Sequence, residues 1–125
     1  MSLQFQDRVW ETLSNPGGSG TITLSNTPKD ASYNTIASKY STGDTLYYII
    51  RGTTTWEIGI GKFNGGTSFT RDTVLSNSSG TTALITFTSG TYDLIGVVPA
   101  EVMNPILAYT LSPIYLPSLA LHFSY

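Results

Sequence analysis

The sequence predicts an all-β fold, a small antiparallel β-sandwich or barrel that carries an extended, proline-containing C-terminal arm. Three observations point there. Short segments alternate apolar and polar residues, the period-two signature of half-buried strands. Turn residues break these segments at roughly eight- to twelve-residue intervals, the spacing of sandwiches and barrels. Composition agrees: the 125 residues include 12 Gly, 8 Tyr and abundant Ser and Thr, with only 11% charged, where roughly a quarter is usual.

Taken in order, Phe5–Leu13 alternates in part around Val9 and Trp10 and reads as a strand or a short helix. The Asn-Pro-Gly-Gly-Ser-Gly run at 15–20 is a loop by composition. Thr21–Leu24 alternates cleanly and predicts a strand, and 25–32, with Asn26, Pro28 and Asp30, predicts a turn. Tyr33–Tyr40 reads as an irregular strand with Ile36 inward. Gly43 and Asp44 open a strand over Thr45–Arg51, with Leu46, Tyr48 and Ile50 on one face. In the next strand Trp56, Ile58, Ile60 and, at the far end, Phe63 are assigned to one face, and Glu57, Gly59 and Gly61 to the other. Hydrophobicity assigns the tryptophan face to the core and leaves Glu57 solvated or paired across strands. Gly65-Gly66 turns the chain into Phe69–Ser78, making a β-hairpin. A polar turn at 76–80 then leads to strands over Thr81–Thr88 (through Ala83, Ile85 and Phe87) and Thr91–Val98.

Residues 101–125 behave differently. From Val102 onward there is no Asp, Glu, Lys or Arg, and three of the six prolines (Pro105, Pro113, Pro117) fall here. Apolar side chains crowd the segment: Ile106, Leu107, Tyr109, Leu111, Ile114, Tyr115, Leu116, Leu119, Leu121 and Phe123. A membrane helix needs about 20 apolar residues, but three prolines and Asn104, Thr110, Ser112 and Ser118 oppose one. The preferred reading is an arm that packs on a neighbouring subunit or partner through those side chains. A strand completing the same sheet is the alternative, with membrane contact last. The chain therefore divides into a β module over 1–100 and an arm over 101–125.

Charge and composition exclude several function classes. The net charge is −2, and residues 72–125 contain no Lys or Arg, which argues against nucleic-acid binding. With no Cys there is no disulfide, thiol catalysis or cysteine zinc site, and residues 1–7 lack a signal-peptide pattern. The single His, His122, sits between Leu121 and Phe123 and reads as a packed histidine. The carboxylates are scattered singly, Asp44 reads as a turn former, and no calcium-loop spacing appears. No catalytic residue, metal site or cofactor is expected. Trp10 and Trp56 are kept as candidate glycan contacts, because aromatic platforms beside polar side chains bind sugars.

Several ordered pieces carry a resemblance. Asp7-Arg8-Val9 with Glu11-Thr12, then Gly20-Thr21-Ile22-Thr23-Leu24, resembles the opening of a small β module of tailed-bacteriophage virion structural proteins. Gly43-Asp44 with Tyr48, Trp56-Glu57-Ile58-Gly59-Ile60-Gly61, Arg71-Asp72-Thr73-Val74-Leu75-Ser76 and Phe87-Thr88-Ser89-Gly90-Thr91 follow in the same order as in that family. The similarity runs from about Phe5 to Ala100. The loop after Leu24 departs from the family's Gly-rich pattern, and the arm after Glu101 has no counterpart. The resemblance implies a non-enzymatic virion component, made in the host bacterial cytoplasm and docked on other virion proteins. A tail or tail-fibre position is preferred over capsid decoration. Viral β modules often close their edges by trimerising, so a homotrimer is expected. The alternative is a carbohydrate-binding module for host-surface recognition.

Overall fold

The computed structural model describes residues 3–18 and 20–97. Its strands are β1 (Trp10–Ser14), β2 (Ile22–Thr23), β3 (Thr27–Pro28), β4 (Thr45–Arg51), β5 (Trp56–Gly65), β6 (Ser68–Asn77) and β7 (Thr91–Gly96), with one short helix, α1 (Ile36–Lys39). They form a single seven-stranded sheet in the order β2-β6-β5-β4-β7-β1-β3, curled into a half-barrel. Every strand-to-strand pairing is antiparallel. The fold is all-β, as the period-two pattern predicts. The expected arm at 101–125, its ten apolar contact residues and His122 lie outside the described residues.

The two edge strands are neighbours in sequence. Only Leu24, Ser25 and Asn26 connect β2 at one edge to β3 at the other. Four Cα–Cα steps span at most about 14 Å, so the sheet has to curl until its edges approach. Both edges are two residues long, and β3 ends in Pro28, which removes a donor from an exposed ladder.

Curling is assisted by the β5–β6 hairpin. Its register shifts three times, between Ile58 and Gly59, between Ile60 and Gly61, and between Phe63 and Gly65. Asp72 and Leu75 of β6 and Asn64 of β5 are left without Cα partners there. Such bulges bend a strand and increase its twist. The turn is made by Gly66 and Thr67, with Gly65 at φ 98° and Gly66 at φ 59°, backbone that glycine adopts without a Cβ penalty.

The concave face holds the core. Leu13, Ile22, Ile36, Leu46, Tyr48, Ile50, Phe69 and Leu94 are fully buried. The Tyr48 and Phe69 rings meet edge to face at 5.2 Å. Two irregular segments cover the open side: Gly18 and Phe87 exchange backbone hydrogen bonds of 3.0 and 3.1 Å, and Phe87 is buried.

Four expectations are corrected. The segment 25–32, expected as a turn, contains the short edge strand β3, paired with β1. Tyr33–Tyr40 is not a strand. Thr35 caps α1, its hydroxyl accepting from Ser38 N at 3.2 Å while Ser38 Oγ accepts from Thr35 N at 3.1 Å; this reciprocal capping box overrides the weak alternation, although Ile36 is inward. Thr81–Thr88 is irregular, and of its alternating set only Phe87 is buried. The faces of β5 are inverted: Glu57, Gly59, Gly61 and Phe63 point into the core, while Trp56, Ile58 and Ile60 face outward and are half-buried.

Candidate functional site

The inward face of β5 carries a carboxylate, and its surroundings explain why. Glu57 is fully buried. Its Oε1 accepts from Arg71 Nη1 at 3.0 Å and from the Ile85 backbone N–H at 2.8 Å. Its Oε2 accepts from the Tyr48 hydroxyl at 2.6 Å, with Arg71 Nη1 at 3.3 Å. Arg71 reaches the same interior from β6. Nη1 also donates to Ile85 O at 2.8 Å, Nη2 donates to Gly18 O and Gly20 O at 2.9 and 3.0 Å, and Nε reaches Gly20 O at 3.3 Å. The guanidinium's five N–H groups are all engaged, and its carbon lies 5.3 Å from the Phe87 ring centre. Burial, then the Glu57 hydrogen bond and charge, raise the Tyr48 hydroxyl well above its ordinary range.

The glycines beside Glu57 make room for this cluster. A Cβ on Gly59 would clash with the Thr73 carbonyl oxygen and lie 2.9 Å from Tyr48 Oη, and one on Gly61 would lie 2.7 Å from Thr70 O and press on the Phe69 ring. The Glu-x-Gly-x-Gly spacing is therefore a packing pattern: one acid and two absent side chains on a single inward row. The arrangement fastens the irregular backbone at Gly18, Gly20 and Ile85 to the sheet. General acid–base work requires contact with a substrate, and Glu57 is sealed from solvent with both oxygens engaged.

Glu11 forms a second buried carboxylate site. Its Oε2 accepts from Ser25 N and Asn26 N at 3.1 and 3.0 Å, and Oε1 accepts from Ile36 N at 2.9 Å. Burial raises its carboxyl pKa, and the three backbone donors act in the opposite direction. It ties the crossover between the sheet edges to the first turn of α1. Asn77 does the same for the loop after β6, donating to Thr81 Oγ1 and Ala83 O at 3.0 and 2.7 Å and accepting from Ser79 N and Thr81 N, each at 3.0 Å. Asp44 is the turn former expected, its Oδ2 accepting from Ser41 N at 2.8 Å.

The outward face is of a different kind. Cross-strand register aligns Trp10, Ile95, Ile49 and Ile58 in one row and Tyr47 and Ile60 in the next, all half-buried. Trp10 meets Tyr33 edge to face at 5.0 Å, with Lys29 Nζ and the Arg51 guanidinium 5.4 and 5.2 Å from its ring centre. Arg51 is paired with Asp93 at 3.4 Å. Trp56, the register partner of Arg51, lines an open cleft of about 420 Å³ with Ile49, Ile58, Arg51 and Thr53–Thr55. The two candidate glycan contacts thus share one surface, and neither is in the core. Among the described residues no group of three or more His, Asp or Glu could hold a metal ion, and no helix is long and apolar enough to cross a membrane.

Composition and alternation single out Trp10 and Trp56 as candidates but not Glu57, Arg71 and Tyr48 as a cluster. The available signal was an acid on one strand of a hairpin and a lone cation on the other, in a chain with few charges. Comparison with protein families, curated proteins and solved structures finds no match to this chain.

Proposed function

We propose that the chain is a non-enzymatic structural subunit of a tailed-bacteriophage virion, docked on other virion proteins in the tail or tail fibre, with capsid decoration as the alternative station. The supporting observation is spatial. Val9, Glu11, Tyr48, Glu57, Gly59, Gly61, Arg71, Val74 and Phe87 come from five motifs of the resemblance, and all face the interior. Motif residues that build a core are the ones a shared structural module would hold in common. On this reading the subunit is a homotrimer, and the arm at 101–125 makes contacts between chains.

Antibody labelling and electron microscopy of particles of a phage whose genome encodes the protein test the proposal. Label on the tail or its fibres is expected. Label on the capsid moves the subunit to the decoration station, and unlabelled particles overturn the virion reading.

One observation favours a second reading, glycan recognition. Trp56 lines the 420 Å³ cleft beside Arg51 and three threonine hydroxyls, and an aromatic wall with convergent polar groups suits a sugar ring. Saturation-transfer NMR against a panel of bacterial surface oligosaccharides tests it. Transfer that disappears in Trp56→Ala supports the reading, and no transfer from the intact protein removes it.

A further inference from the structure

We infer that the outward face of β7, β4 and β5 is the receiving surface for the C-terminal segment of a second copy of this chain. The inference rests on the proposal that this segment is a docking arm, and it names the surface on which the arm lands. Ile95, Ile49 and Ile58 are consecutive register partners on three adjacent strands, and Tyr47 and Ile60 pair beside them. Directly opposed side chains lie about 5 Å apart, so these five form one continuous apolar patch. Outward positions of a half-solvated sheet are ordinarily polar. Here the polar groups stand at the margins instead, with the Arg51–Asp93 pair at one end and Lys62 at the other. An apolar centre with a charged rim is the anatomy of an interface.

Two features identify the occupant: the place where the described chain ends, and the composition of residues 98–125. Val97 donates its N–H to Tyr47 O at 3.0 Å, so the last described residue lies at the edge of the patch. Glu101 is the one Asp, Glu, Lys or Arg among residues 98–125, and water is a poor environment for the apolar side chains that make up most of the segment. Extended, they reach about 90 Å, against about 15 Å across the three strands, which is ample for another molecule. A residue before proline favours extended backbone. Val98 precedes Pro99, a sequence that disfavours a helical turn at that residue. Arm on one copy and patch on the next make a head-to-tail contact, which closes into a ring when the rotation between copies permits and otherwise propagates.

The test uses full-length protein and two variants. Ile49→Glu damages the patch at an outward position, and Leu111→Glu damages the arm. Ile60→Lys replaces the first if circular dichroism shows it unfolded. Mass is followed by light scattering and sedimentation over micromolar concentrations. The expected result is a self-associating native chain and folded variants that dissociate at least about tenfold more readily. Mixing the two variants should give a one-to-one pair, since one intact arm then meets one intact patch. A native chain that stays monomeric overturns docking between copies. If Leu111→Glu is monomeric but Ile49→Glu still associates, the patch is overturned and the arm stands. If Leu111→Glu associates like the native chain, the arm reading itself fails.

Discussion

Placing a carboxylate and a guanidinium in a protein interior carries a desolvation penalty of several kcal/mol per ion, offset only by close geometry and complete hydrogen bonding. Glu57 and Arg71 meet that condition because backbone groups of two irregular segments supply the remaining partners. Neutralising one member leaves the other charged and unpaired. Glu57→Gln and Arg71→Met are each expected to lower stability by about 3–5 kcal/mol, read as a lower urea midpoint at unchanged slope. The double variant should lose less than the sum, with a coupling of about 0.5–3 kcal/mol; strict additivity would mean the two side chains do not act together. The same cluster sets an alkaline limit. Burial raises Tyr48 far above its ordinary value of 10.0 and Tyr40 to about 12, so the folded state holds both protons more tightly than the unfolded chain. Their contribution is complete below about pH 10 and is lost as the pH rises through the folded values. Stability should fall from pH 10 towards 12 and beyond. Tyr40→Phe should make that fall shallower, and an unchanged profile would exclude Tyr40 from it.

At the scale of the element, the β5–β6 hairpin separates what a sequence reveals from what it withholds. Both strands, the turn at Gly65-Gly66 and the limits of β4 follow from alternation and turn residues, which are local properties. Which face is buried is not local. Trp56, Ile58 and Ile60 are more apolar than Glu57, Gly59 and Gly61, so hydrophobicity selects the wrong row. The true row is set by the Tyr48 and Phe69 rings and the Thr73 and Thr70 carbonyls, which occupy the space the glycines leave. Bulges at Asp72 and Leu75 also put Arg71, Val74 and Asn77 on one face at a spacing of three, which a period of two cannot detect. The same non-local logic hid the Glu57 cluster, because its partners come from four segments. The glycines then divide by mechanism. Gly61→Ala should cost more than about 2 kcal/mol, since its Cβ meets Thr70 O and the Phe69 ring. Gly66→Ala, at φ 59° with nothing within 4 Å, should cost only about 1 kcal/mol of backbone strain. Equal thermal shifts for the two would refute the steric account of Gly61.

For the whole molecule the governing fact is that three residues join opposite edges of one sheet. A curled sheet held open at that seam would expose Ile22, Leu24 and Leu13, which are buried, so the seam has to be fastened. Glu11 fastens it from inside, binding Ser25 and Asn26 of the crossover through one oxygen and Ile36 of α1 through the other. Glutamine has the same shape but presents an amide donor in place of one oxygen. In Glu11→Gln either the crossover or α1 therefore faces N–H to N–H, and an unsatisfied buried donor costs about 1–3 kcal/mol. The loss should be localised. Amide hydrogen exchange should accelerate first at Ser25 and Asn26, or at Ile36, while the Ile85 amide on Glu57 keeps its protection, because the two carboxylates serve separate joints. Uniform acceleration of all four amides would mean that the half-barrel opens as one cooperative unit and that its edges are not fastened independently of its centre.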